Sequence, residues 1–345
     1  MLVRACGLYL EPSALTSWRM LPAHRYLPGQ YCFIAIPEFN IYRHATEFHP
    51  FTISSAPHEP FFTLHIRAAG DWTRKLHAAA DTPDKRNNAT NNKLSEGEGK
   101  NPKRPTYVLF DGPFGSASEE VFDHDIAVMV GAGIGVTPFA SILKDVRQKI
   151  DVLNRSRLDT DMLQELLQAL GRWSGSSRTS LSLKKLYFFW TTRNQGAFHW
   201  FGDLLTSLTS VEDPVAAGGG SKGSESDEAS SRPWELEIAT YITGAKIDEN
   251  KDLGSLFLQL GLDLVRQTSG VSLLTGHNLG TRFERPNWDT IFSRIADAHK
   301  GLKIGVFFCG PARLGATLKE KCEEQNAAAN SKANGTRFSF HTEVF

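Results

Sequence analysis

Three glycines at alternate positions, Gly131, Gly133 and Gly135 in DIAVMVGAGIGVTPFASIL, close an apolar run and open a stretch with helix-start signals. A buried strand entering such a turn brings backbone N–H groups close to whatever lies above it. Unpaired N–H groups at a helix start favour an anionic pyrophosphate. Thr137 reads as the N-cap and Pro138 as the first helical residue. The spacing departs from GxGxxG, because Val136 stands where the third glycine belongs, so a tight turn with no ligand remains an alternative. Two further strand ends add chemistry. WTTR places Thr192 and Arg193 beyond the carboxyl end of an apolar run, where an arginine suits a dinucleotide 2′-phosphate or lies as a solvated surface cation. LKIGVFFCGP ends in Cys309, Gly310 and Pro311, a thiol over the same crevice or an inert packed cysteine.

The elements that must position these groups follow from periodicity. Before about residue 115, GQYCFIAI, HPFTISS, FFTLHIRA and PTYVLFDG are short strands separated by turns, several with β alternation, which predicts an antiparallel β-barrel or sandwich. HPFTISS is unusual, with Pro50 inside it, Pro57 after it and hydroxyl residues at its end. After Asp123 the pattern becomes strand, Gly-rich turn and helix, repeated, which predicts a parallel sheet flanked by helices. The expected division is a barrel over 1–120 and an α/β domain over 121–345. Residues 84–104 and 212–232 are too polar to bury surface and read as disordered loops, and leucines at helical spacing predict a helical insert over about 145–180.

Composition excludes other classes. The formal net charge of the 345 residues is zero, which gives no field for nucleic acid. The four cysteines have neither CxxC spacing nor the density of a secreted disulfide scaffold, so no metal site is expected. The longest mostly apolar run, IAVMVGAGIGV, is too short to cross the ~30 Å of a bilayer core, so the isolated chain is expected to be soluble.

In order along the chain, PGQY, HPFTISSAP, HIRAAGDWTRKL, DGPFG, GAGIGVTP, WTTRNQGAFHWF, RPNW, FFCGP and a final phenylalanine resemble the ferredoxin-NADP reductase superfamily, and within it the dehydrogenase half of NADPH oxidases and ferric reductases. The resemblance implies an antiparallel FAD-binding barrel followed by a Rossmann-like parallel-sheet domain for NADPH. It implies that His49, Pro50, Phe51, Thr52, Ile53 and Ser54 line the flavin, with the Thr52 hydroxyl near N5. Arg67 and the backbone of Gly70, Asp71, Trp72 and Thr73 would hold the FAD pyrophosphate. Gly131 to Pro138 would take the NADPH pyrophosphate, Arg193 and Arg285 the 2′-phosphate, and Cys309, Gly310 and Pro311 the nicotinamide end. Phe345 would stack on the flavin and move aside before hydride transfer, so Thr52, Cys309 and Phe345 are the residues expected at the chemistry. The expected acceptor is haem on transmembrane helices, supplied by a missing N-terminal part or a separate chain. The fragment reading is preferred because Leu2 falls near the first barrel strand. That places the parent protein's dehydrogenase on the cytosolic face of a membrane. A ferric-chelate reductase half and a non-catalytic flavin-binding module are the rivals.

Overall fold

The computed structural model describes residues 2–4, 8–11, 15–20, 26–39, 47–80, 107–156, 183–193, 197–198, 201–209, 235–243, 281–282, 284–330 and 335–343. The two loops at 84–104 and 212–232, the part of the helical insert after Ser156, and Phe345 lie outside these residues.

The first half is antiparallel. Strands β1 (Leu2–Arg4), β7 (Tyr107–Phe114), β4 (Tyr31–Ala35) and β5 (His49–Thr52) form one sheet in that order. A second sheet is built from β2 (Leu8–Glu11), β3 (Leu15–Met20) and β6 (Phe62–Arg67). A bridge between Ile53 and Leu64 joins the two where β5 runs out, as expected of a small barrel closing on itself. Alternate residues point inward, so Cys32 and Ile34 of β4, Ile53, Leu64 and Ile66, and Val108 and Phe110 of β7 make one core. Helix α1 (Asp71–Ala80) closes it with Leu76 and Ala79.

In the second half, β8 (Ile126–Ala132), α2 (Thr137–Ser156), β9 (Lys185–Thr192), α3 (Gly202–Thr209), β10 (Glu235–Ile242), β11 (Thr281–Arg282), α4 (Trp288–Ala298), β12 (Lys303–Cys309), α5 (Ala312–Asn330) and β13 (Arg337–Glu343) follow in order. Their sheet is ordered β11-β10-β9-β8-β12-β13 and every pairing is parallel. A parallel sheet covered on both faces needs strands apolar on both sides, which is why IAVMVGA, KLYFFWTT and KIGVFFC lack alternation. One face packs Phe139, Ile142, Leu143 and Val146 of α2, and the other Ile291, Phe292 and Ile295 of α4 with Leu318 of α5. From β8 the chain adds strands in one direction and then restarts on the other side with β12. The strand order therefore reverses between β8 and β12, the place where open α/β sheets take ligands.

The two halves are fastened together. Ser141 of α2 donates to the Ser55 carbonyl at 2.6 Å, Lys144 pairs with Glu59 at 3.1 Å, and the His65 ring of β6 lies against Phe201 with centroids 4.6 Å apart.

Candidate functional site

The glycine turn is shaped by what it must pass. Residues Gly133–Val136 form a 3-10 turn that runs directly into α2. Thr137 has helical dihedrals (φ −57°, ψ −44°), which corrects its expected role as N-cap. The 3-10 turn precedes Thr137 and runs into α2, so the first free N–H groups belong to the turn and Thr137 is already helical. A Cβ on Gly135 would fall within 3.0 Å of the Cys309 carbonyl, so this glycine lets β8's turn cross the end of β12. Gly133 has φ +58°, a left-handed conformation that favours glycine, and its carbonyl accepts the Trp190 indole N–H at 3.1 Å. Trp190, on β9, is a positioning residue that the sequence did not single out. Its signal was an indole in a strand next to the turn's strand.

Cys309 is buried, opposite Gly131 on one side and Glu343 on the other. Burial, reinforced by the Glu343 carboxylate, pushes its thiol up to about 12, so it is a neutral thiol at physiological pH. Glu343 is also buried. Burial raises its carboxyl above the usual range, and hydrogen bonds from Ser118 and Ser116 partly offset this, the Ser118 N–H lying 3.0 Å from Oε1. Sequence reading missed Glu343, although an acid at the end of the otherwise mixed strand RFSFHTE was available as a hint.

On the barrel side, β5 pairs with β4 in the register Tyr31–Thr52, Cys32–Phe51, Phe33–Pro50 and Ile34–His49. Pro50 is exposed and Thr52 buried, while His49 and Phe51 lie against Trp72 of α1. Trp72 stacks over Phe51 (centroids 5.9 Å, planes 28° apart) and lies 4.3 Å from the His49 ring. Ser54 differs from expectation. It is fully buried, and its hydroxyl is held by the Thr63 carbonyl at 2.7 Å and His65 Nδ1 at 2.6 Å, so it ties β5's extension to β6. Burial, with a smaller contribution from Lys144, lowers His65 to about 3, which keeps its ring neutral.

The segment expected to offer its backbone to the FAD pyrophosphate, Gly70 to Thr73, is the start of α1 with Gly70 just ahead of it. Thr73 Oγ1 accepts the N–H groups of Ala69 and Gly70, each at 2.9 Å, leaving the first N–H groups of the helix without an intrahelical acceptor. Space is open here, since a Cβ on Gly70 would meet nothing within 4 Å. Arg67, at the end of β6, is exposed and is held by no acceptor among the described residues. Open space, a cation with no acceptor among the described residues and helix-start N–H groups fit a phosphorylated cofactor on the barrel. The glycine turn at the switch point fits a second on the α/β domain.

Arg193 and Arg285 are both exposed at the sheet's carboxyl edge, Arg193 just after β9 and Arg285 between β11 and α4. Arg282, unremarked in the sequence, joins them there. It is level with Tyr241 in the sheet, and its guanidinium reaches the Tyr241 hydroxyl at 3.3 Å.

The sequence matches the FAD-binding domain family over residues 14–118 and the ferric reductase NAD binding domain family over 124–216 and 224–323. It is 36% identical to NADPH oxidase 1 of Mus musculus over 92% of this chain and 41% of that protein. It is 30% identical to a probable respiratory burst oxidase homolog protein I of Arabidopsis thaliana over 99% of this chain and 35% of that one. The chain thus spans well under half the length of these relatives. Among solved structures, a flavohemoglobin from Malassezia yamatoensis with bound FAD and heme shares the fold at 12% identity (TM-score 0.50), covering 99% of this chain and 59% of that one. With more than half of its residues in the matched α/β stretch, and an FAD-binding domain matched ahead of it, the chain belongs to the ferric reductase NAD-binding family.

Proposed function

We propose that the chain is the dehydrogenase part of a flavoprotein that takes electrons from NADPH through FAD to a one-electron acceptor, as in an NADPH oxidase. The observation that carries this reading is the crossing of the glycine turn with the Cys309 strand end at the switch point, with the barrel fastened beside it. When bound, NADPH supplies a hydride from its nicotinamide C4, and FAD receives it at N5 and releases the electrons singly. No acid–base pair is needed, so the residues act by placement.

His49 to Ile53 line the flavin ring in this reading, with Thr52 offering its hydroxyl towards N5 and Ser54 supporting the strand from inside. Arg67 and the start of α1 hold the FAD pyrophosphate. Gly131, Gly133, Gly135, Thr137 and Pro138 form the seat of the NADPH pyrophosphate, and Arg193 with Arg285 the seat of the 2′-phosphate. Cys309, Gly310 and Pro311 border the nicotinamide. A neutral thiol there can exclude water without competing as a nucleophile. Phe345 covers the flavin face until nicotinamide displaces it. The division proposed is a barrel over 1–120 and an NADPH domain over 121–345.

The proposed acceptor is haem on transmembrane helices, in a longer form of this protein or in a separate chain, with this part on the cytosolic face. No helix among the described residues is long and apolar enough to cross a membrane. The matched family is named for ferric reductases, which keeps an iron chelate as the competing acceptor.

The experiment is steady-state reduction of ferricyanide by the FAD-loaded chain. Arg193→Ala is expected to raise the KM for NADPH about tenfold or more while leaving that for NADH within about twofold, since one charge-assisted phosphate contact is lost. Equal effects on both dinucleotides would remove Arg193 from the 2′-phosphate.

A further inference from the structure

Two rings belong to neither of the proposed cofactor seats and meet between them. His65 of β6 and Phe201, immediately ahead of α3, are both buried, with ring centroids 4.6 Å apart. On the barrel side, His65 Nδ1 is 2.6 Å from the Ser54 hydroxyl, just past the end of β5. On the other side, Phe201 packs on Trp190 with centroids 6.3 Å apart, and the Trp190 indole N–H donates to the Gly133 carbonyl at 3.1 Å. Phe198 packs edge-on against the same indole at 4.9 Å. Ser54, His65, Phe201, Trp190 and Gly133 thus make a continuous row, from the strand proposed to line the flavin to the turn proposed to seat the dinucleotide.

The row is stiff. Its side chains are buried, and packed interiors have low compressibility, so rings in contact hold a spacing instead of yielding to it. His65 is neutral, so no charge is desolvated where it lies between the domains. The other fastenings, Ser141 on Ser55 and Lys144 on Glu59, are a hydrogen bond and an ion pair placed within α2, past the glycine turn. Spacing matters to the chemistry proposed above, because a displacement of about 1 Å between reacting groups can cost on the order of a hundredfold in rate.

We infer that Phe201 is a positioning residue for hydride transfer: an aromatic spacer, pressed between His65 and Trp190, that sets the separation of the flavin-lining strand from the dinucleotide turn. This rests on the NADPH-to-flavin reading above. Because Phe201 belongs to neither seat, its loss should change the rate at saturating NADPH and not the affinity for either cofactor.

The test uses the full chain loaded with FAD, its occupancy checked by absorbance, mixed rapidly and anaerobically with NADPH while flavin bleaching is followed. At saturating NADPH, Phe201→Ala is expected to bleach about tenfold or more slowly, with Phe201→Leu in between and Kd for NADP+ within about threefold of the unmutated chain. NADPH deuterated at the transferred C4 position should give an isotope effect at least as large in Phe201→Ala as in the unmutated chain, because the slowed step is hydride transfer itself. Ser141→Ala removes an interdomain hydrogen bond outside the row and should bleach within about twofold of the unmutated rate. If Phe201→Ala does not fold or fill with FAD, Phe201→Leu and Phe201→Met carry the comparison, each expected to be several-fold slower than Ser141→Ala. An unchanged rate in the filled Phe201 variants would overturn the inference. So would an isotope effect that collapses towards one, or an equal slowing by Ser141→Ala, either of which would leave Phe201 to domain docking in general. An unmutated chain that holds FAD but is not bleached by NADPH would instead overturn the NADPH-to-flavin reading, and the inference with it.

Discussion

Gly135 and Gly70 make a controlled comparison at the scale of single residues. Both sit in turns read as phosphate seats, but a side chain at Gly135 would strike the Cys309 backbone, whereas one at Gly70 would enter open space. Gly135→Ala is therefore expected to cost about 1–3 kcal/mol, the range of an overpacked site, because a backbone carbonyl cannot swing away as a flexible side chain can. Gly70→Ala should be near neutral in stability. Urea midpoints of the two variants check this, and equal midpoints would contradict the crossing geometry. Glycine's role at 135 was only half legible from sequence: its spacing marked a turn, but the strand it crosses is 174 residues further on at Cys309. Ser54 was misjudged for a related reason. Its hydroxyl looked available for a ligand, and only the pairing of β5's extension with β6 reveals that Thr63 and His65 already hold it.

At the scale of elements, β6 and α3 are joined through a histidine that must stay neutral. His65 is held down to about 3 by burial, against an ordinary value of 6.5. Because the folded pKa lies below the unfolded one, the unfolded chain binds the extra proton first. The contribution is full above about pH 6.5 and is lost as pH falls towards 3. Between pH 7 and pH 5 the loss is about 2 kcal/mol. His65→Asn is expected to flatten this part of the stability profile, read from urea unfolding at each pH. A wild-type profile no steeper than the variant's would show that His65 is not buried between the domains. Strand runs such as IAVMVGA and KIGVFFC were legible because a doubly covered parallel strand is apolar throughout. Helix α1 was not, since Gly70 and Thr73 signal a turn, and Thr73, in the helix's first turn, does accept the N–H groups that precede the helix.

For the whole molecule, the order of motifs along the chain was enough to anticipate a barrel followed by a parallel sheet, and the topology adds where they meet. The reversal between β8 and β12 brings the glycine turn to Cys309, and the contacts of Ser55, Glu59 and His65 hold the barrel against that edge. Long-range juxtapositions such as His65 with Phe201 carry no local sequence signal, because they depend on how two separately patterned domains dock. On the reading proposed above, these two domains form one path from NADPH to flavin. Its most direct test is anaerobic mixing of the FAD-loaded chain with excess NADPH while the flavin's yellow absorbance is followed. Bleaching that saturates with NADPH concentration and is slower with NADH is expected; a chain that holds FAD but is not bleached at any NADPH concentration would rule out that path.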